Sequence, residues 1–181
     1  MEKILGILAV AISGVFLLGS SAAVHALELT STAVKDGGTI PSDYARPAAG
    51  GHNLSIPLKW TGVPGGTKSF AVSIVDIHPV ANNWVHWIVM DIPADVTSLP
   101  EDASGKSMPA GAVEIRNSFG TTGYGGPQPP KGSGAHSYVI TVYALNSDKI
   151  ELKPNASLSD FQSAIKGKVI QQATITGKYE Q

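Results

Sequence analysis

"SFAVSIVDIHPVANNWVHWIVMDI", residues 69–92, decides the fold class. Its two ends, 69–77 and 84–92, are dense in β-branched and aromatic residues and predict two strands. Strict alternation would put Trp84, His86, Ile88, Met90 and Ile92 on one face of the second strand, with Val85, Trp87, Val89 and Asp91 on the other. Both faces are largely apolar, so this strand is expected to be central and covered on both sides. Similar composition marks 136–145 ("HSYVITVYAL") and 168–179 ("KVIQQATITGKY"), and shorter strands are expected in 27–34 and 54–60. One helix is expected near the end. There Leu158, Phe161 and Ile165 share a face, Ser157 with Asp160 makes a capping box, and Gly167 supplies a stop. The expectation is a mostly β domain, two packed sheets with one short C-terminal helix.

The chain has 181 residues, 13 Lys+Arg against 14 Asp+Glu, and no cysteine. That near-neutral balance gives no reason to expect nucleic acid or an acidic membrane surface as a partner. Residues 1–26 have the make-up of a secretory leader: Lys3, an apolar run from Ile4 to Leu18, and the small-x-small ending Val24-His25-Ala26. The run is short for a membrane span. Cleavage after Ala26 is expected, leaving 27–181 as one domain without a span, in the periplasm or secreted. Mass measurement of the protein from the cell envelope should then start at Leu27; intact Met1 on a membrane-embedded species would contradict it. Without cysteine there are no disulfides and no lipid thioether, so the core alone must stabilise the domain.

The stretch 93–134 has little periodicity, and a loop region of that length inside a domain is usually functional. It contains "GYGGPQPP" (123–130), and Gly132 and Gly134 follow before His136 heads a strand. Asp76 closes another strand, and His86 lies within the apolar one, where a histidine is ordinarily a satisfied core residue. Antiparallel neighbours could bring Asp76, His86 and His136 together at strand ends. Three chemistries suit such a trio. A metal would want closer ligand spacing or a thiolate, and no metal or other cofactor is expected. A Ser-His-Asp hydrolase would want a nucleophile elbow, which is missing, and Ser118 stands in no such turn. An anion site suits the glycine-rich approach best, with loop backbone coming close to the anion and His136 handed to the same spot.

The segments "SFAVSIVDIHPV", "WVHWIVMDIP", "NSFGTTGYGGPQPPKGSGAHSYVITVYAL" and "AIKGKVIQQATITGKY" resemble, in this order, the phosphatidylethanolamine-binding protein family in its bacterial Raf-kinase-inhibitor-like branch. The likeness runs from about Leu27 to Tyr179. It implies a β-sandwich-like fold with a pocket for phosphate, acetate or phosphoryl head groups, in which Asp76, His86, His136 and Tyr138 bind ligand. Pro129 and Pro130 would shape its wall. The family's D-P-D-A-P reads Asp76-Ile77-His78-Pro79-Val80 here, so His78 replaces a second carboxylate at the rim. Its H-R-Y reads His136-Ser137-Tyr138, and Gln128 stands where relatives often have cysteine.

The leading expectation is an exported binding protein for a small anionic or phosphoryl-containing ligand, not an enzyme. The alternatives are an inhibitor of a partner kinase or protease acting through the pocket rim, and an enzyme on a phosphoryl or acyl substrate. The protein target stays unnamed, and a homodimer stays open.

Overall fold

A computed structural model describes residues 26–181. The expected leader, 1–26, thus falls almost wholly outside the described residues. Among them no helix is long and apolar enough to cross a membrane.

Strands β1 (Glu28–Thr30), β2 (Leu58–Thr61) and β5 (Ser98–Leu99) form a small antiparallel sheet in the order β1-β2-β5. A larger antiparallel sheet runs β6-β4-β3-β7-β8. Its strands are β3 (Ser69–Asp76), β4 (Trp84–Pro93), β6 (Val113–Glu114), β7 (His136–Leu145) and β8 (Val169–Tyr179). The small sheet packs on one face of the large one through Leu29, Leu58, Trp60 and Leu99, against Phe70, Val72, Trp87, Val89 and Ile140. Trp60 and Phe70 are in ring contact at 5.2 Å. On the opposite face helix α1 (Leu158–Ile165) buries Phe161 and Ile165 against Ala71, Ile88, Met90 and Leu145. The domain is therefore mostly β, two packed sheets and one short helix, as the strand pattern predicts.

Helix α1 starts and stops where its sequence says. The Ser157 hydroxyl accepts from the Asp160 amide, and the Asp160 carboxylate accepts from the Ser157 amide. Gly167, at φ 75°, turns the chain into β8. Two of the shorter strands are trimmed. The segment 27–34 keeps only three strand residues, and 54–60 begins pairing only at Leu58. Two two-residue strands, β5 and β6, lie within the aperiodic 93–134, too short for alternation to mark them.

Strand β4 departs from strict alternation twice. Ile74 pairs with Trp87 but the next residue, Val75, pairs with Val85, leaving His86 as the extra residue of a bulge. A second slip lies between Phe70–Ile92 and Val72–Val89, where Asp91 takes φ 57°. Each bulge flips the parity. Val85, Ile88 and Met90 face the helix, while Trp87, Val89 and Ile92 face the other sheet. The strand is covered on both sides as expected, but its faces are reassigned at His86 and Asp91.

Candidate functional site

The three central strands bring their polar residues to one end of the large sheet. β3 runs antiparallel to both neighbours, so its last residue, Asp76, lies opposite Trp84 at the start of β4 and opposite Tyr138 near the start of β7. His136 heads β7, two residues before Tyr138, and the bulge places His86 beside them. The His86 and Tyr138 rings meet edge to face at 5.0 Å. A cavity of about 190 Å³ opens there, lined by Asp76, His86, His136 and Tyr138 with Trp84, Val80, Ala81, Phe119, Gln128, Pro129 and Pro130. Asp76, His86, His136 and Tyr138 are each at most 3% exposed, so every polar atom they carry must be accounted for.

Asp76 and His136 satisfy one another. The Asp76 carboxylate accepts from His136 Nδ1 at 2.6 Å through one oxygen, and from the His78 amide at 2.9 Å through the other. Ser133 Oγ donates to the Pro130 carbonyl at 2.6 Å and lies 2.9 Å from His136 Nε2. Both His136 nitrogens are thereby engaged by the protein. The expectation that His136 contacts a ligand directly meets a ring already engaged on both sides. His78 stands outside the cavity lining. It stacks on His136 with centroids 3.9 Å apart, and its Nδ1 accepts from the Val80 amide of the 3-10 turn Pro79–Ala81.

His86 and Tyr138 leave polar atoms open. His86 Nδ1 donates to the Gly125 carbonyl at 2.5 Å, and the Gly125 amide returns a bond to the His86 carbonyl at 2.8 Å. Burial pushes the His86 pKa from 6.5 down to about 4, against smaller raising effects of Gly125, Asp76 and Gly126, while the Arg46 charge lowers it further. The Tyr138 hydroxyl is buried with no hydrogen-bond partner among the described residues. Burial, then the nearby Asp76 charge, raise its pKa far above the ordinary value, so it stays a donor.

His86 makes stability pH-dependent, with a sign that follows directly. An unfolded histidine takes a proton near 6.5 and the folded one only near 4, so the unfolded state binds more protons between those values. Its contribution is intact above about 6.5 and is lost as pH falls to about 4, amounting to about 3 kcal/mol. Urea midpoints of the parent and His86→Gln, compared from neutral to acid pH, should diverge by that amount. Parallel curves would show that another group carries the acid sensitivity.

The Gly/Pro loop does a different job from the one its composition suggests. A Cβ on Gly126 would lie 2.0 Å from the Tyr44 carbonyl oxygen, and one on Gly125 would lie 2.7 Å from the Phe119 ring. These glycines admit other parts of the protein, not an anion. The cavity wall from this loop is Gln128, Pro129 and Pro130.

Several neighbours escape a sequence reading. Arg46 donates from Nε to Gln128 Oε1 at 3.0 Å and sets its guanidinium 4.1 Å from the Phe119 ring centroid. Nothing in "YARPAAGG" distinguishes it, because its partners lie over 70 residues away. Ser133 and Phe119 are equally unmarked. Among the described residues no group of three His, Cys, Asp or Glu is arranged to hold a metal ion.

The two packed sheets with one short helix fit a known class of protein, and the sequence assigns it: residues 30–180 match the phosphatidylethanolamine-binding protein family, to which the chain belongs. It is similar to the UPF0098 protein YbcL of Escherichia coli, 42% identical, with 88% of this chain and 91% of that one covered. The crystal structure of E. coli YbcL, described as a member of the mammalian PEBP family, superposes with a TM-score of 0.80 at 40% identity, covering 86% of this chain and 98% of that one. The PEBP homolog CT736 of Chlamydia trachomatis gives 0.74 at 30% identity, over 87% and 99%. A Mycobacterium tuberculosis relative, 34% identical over 87% of this chain and 74% of its own, is named putative lipoprotein LppC.

Proposed function

We propose that this protein is an exported binding protein whose end-of-sheet cavity takes a small oxyanion, a phosphoryl or carboxylate group. The observation that carries the reading is the Tyr138 hydroxyl, a buried donor without a protein partner on the cavity wall. Leaving such a group unpaired is costly, and an anion oxygen is a strong acceptor for it. Arg46 beside the rim adds a cation whose field reaches His86. Asp76, the carboxylate on the wall, has both oxygens engaged, by His136 Nδ1 and by the His78 amide. The leader composition supports export. LppC is named a lipoprotein, but this chain has no cysteine to carry a lipid.

Tyr138→Phe tests the reading. Calorimetric titration with inorganic phosphate should show roughly tenfold weaker binding, the worth of one hydrogen bond to a charged acceptor. The melting temperature should hold or rise, since the variant removes an unpaired buried hydroxyl. Equal affinity of parent and variant would remove Tyr138 from the site, and no binding by the parent would end the reading.

The exposure of Val80 (63%) and Trp84 (38%) at the cavity mouth favours a second reading, a rim that docks a protein partner. Val80→Asp would abolish that docking in a pull-down with a bound partner; retained docking would rule it out.

A further inference from the structure

The cavity's polar atoms have a fixed hydrogen-bond polarity, and it is unusual for an anion site. Asp76 and His136 are spent on each other, on Ser133 and on the His78 amide. Tyr138 offers a donor. His86 offers the opposite. Its Nδ1–H is committed to the Gly125 carbonyl, and in the neutral ring that fixes the other nitrogen, Nε2, as a lone pair. Among the described residues Nε2 has no hydrogen-bond partner, and the His86 side chain lines the cavity. The charged and titratable groups facing His86 are Asp76 from β3, His136 and Tyr138 from β7, and Arg46 from the segment before β2. A ligand seated between Tyr138 and His86 must therefore accept from one and donate to the other.

We infer that this cavity selects oxyanions that carry a proton on oxygen, accepting one hydrogen bond from Tyr138 and donating another to His86 Nε2. The inference rests on the proposed anion site and deepens it. The neutral His86 ring, whose pKa lies near 4, is not a proton source at neutral pH, so the ligand must bring the proton. Phosphate does so, because both of its forms near neutrality keep at least one O–H. Sulfate, of nearly the same shape and charge, brings none and sets an oxygen lone pair against Nε2. A phosphate monoester qualifies only as its monoanion, below a second pKa of about 6, and an ionised carboxylate does not qualify, so the selection narrows the proposed ligands to the phosphoryl class. His86 is thus a specificity-determining residue, and the discrimination is between acid and fully ionised oxyanions.

Three probes test this on the full protein: inorganic phosphate, sulfate and methyl phosphate, titrated at about pH 5 and about pH 8, either side of the monoester pKa. Comparison between anions at one pH cancels any pH response of the protein itself, which is common to all three. Sulfate should bind on the order of tenfold to a hundredfold more weakly than phosphate, the penalty of a buried acceptor facing another acceptor. Methyl phosphate should match phosphate at the lower pH and lose affinity by about a hundredfold at the higher, following its monoanion fraction. In His86→Gln the side-chain amide can present a donor as well as an acceptor, so the phosphate–sulfate gap should shrink to about threefold. Sulfate binding as phosphate does, methyl phosphate indifferent to pH, or an unchanged gap in His86→Gln would each overturn the inference while leaving the anion site standing. Failure of all three probes to bind the parent would overturn both. Should the variant not fold, the parent's own anion series decides.

Discussion

Asp76→Ala is expected to destabilise the protein by about 3–5 kcal/mol, the usual cost of removing one partner of a buried ion pair. The Asp76 carboxylate is the acceptor for two donors that have no other protein partner close by, His136 Nδ1 at 2.6 Å and the His78 amide at 2.9 Å. His136 is only 1% exposed, so water cannot replace the lost carboxylate without entering the sandwich end. The His136 ring would be left as an uncompensated buried donor, held from its other side by Ser133 alone. The effect should spread to the 3-10 turn Pro79–Ala81, because His78 both caps that turn and stacks on His136. Urea unfolding should show a lower midpoint with an unchanged slope, and phosphate affinity should fall with it as Val80 and Ala81 leave the wall. Asp76→Asn keeps the shape and one acceptor oxygen, and should recover a large part of the stability. A midpoint for Asp76→Ala within about 1 kcal/mol of the parent would mean that the pair carries little, as exposed pairs do.

The same pair shows what a sequence reading can reach. That Asp76 closes one strand and His136 heads another is legible in the β-branched and aromatic composition of the two segments, whereas their pairing is supplied by the sheet. The capping box of α1 and its glycine stop are local too, and the sequence states them in full. The bulge at His86 is not local. It depends on which residue of β3 each residue of β4 meets, and the hydrophobic run 84–92 is equally compatible with an unbroken register. Because of that bulge His86 lies against Tyr138 while the next residue, Trp87, joins the same sandwich core. The tautomer of His86 is still less legible, since the Gly125 carbonyl that fixes it lies 39 residues on. Arg46 is invisible for the same reason: its role comes from Phe119 and Gln128, which reach it only once the loop 123–130 has docked. The resemblance to known family members supplies names for the pocket residues, but not the polarity of their hydrogen bonds.

That docking is the basis of the other large effect, expected for Gly126→Ala. The segment 41–53 lies against the Gly/Pro loop through the Arg46 amide on the Pro127 carbonyl at 3.1 Å, the Tyr124 hydroxyl on the Tyr44 carbonyl at 2.9 Å, and the Gly126 amide on Asn53 Oδ1 at 2.8 Å. A methyl on Gly126 would sit 2.0 Å from the Tyr44 carbonyl oxygen and 3.0 Å from Ala45 backbone atoms. Both obstacles are main chain, so no side-chain rotation relieves the clash; the two segments must separate by more than an ångström and give up these bonds together. The expected loss is about 3 kcal/mol or more, at the upper end for overpacking, or roughly 6–12 °C in melting temperature for a domain of this size. Gly132 in the same loop serves as the control. It has φ 77° and open space around it, so Gly132→Ala should cost only the left-handed backbone strain of about 1 kcal/mol. The two variants also divide function from fold. Separation at Gly126 carries Arg46 away from Gln128 and Phe119, so phosphate affinity should weaken in Gly126→Ala and stay at the parent value in Gly132→Ala. If both glycines tolerate alanine equally, the loop and the segment 41–53 are not pressed together, and Arg46 has no fixed place beside the cavity.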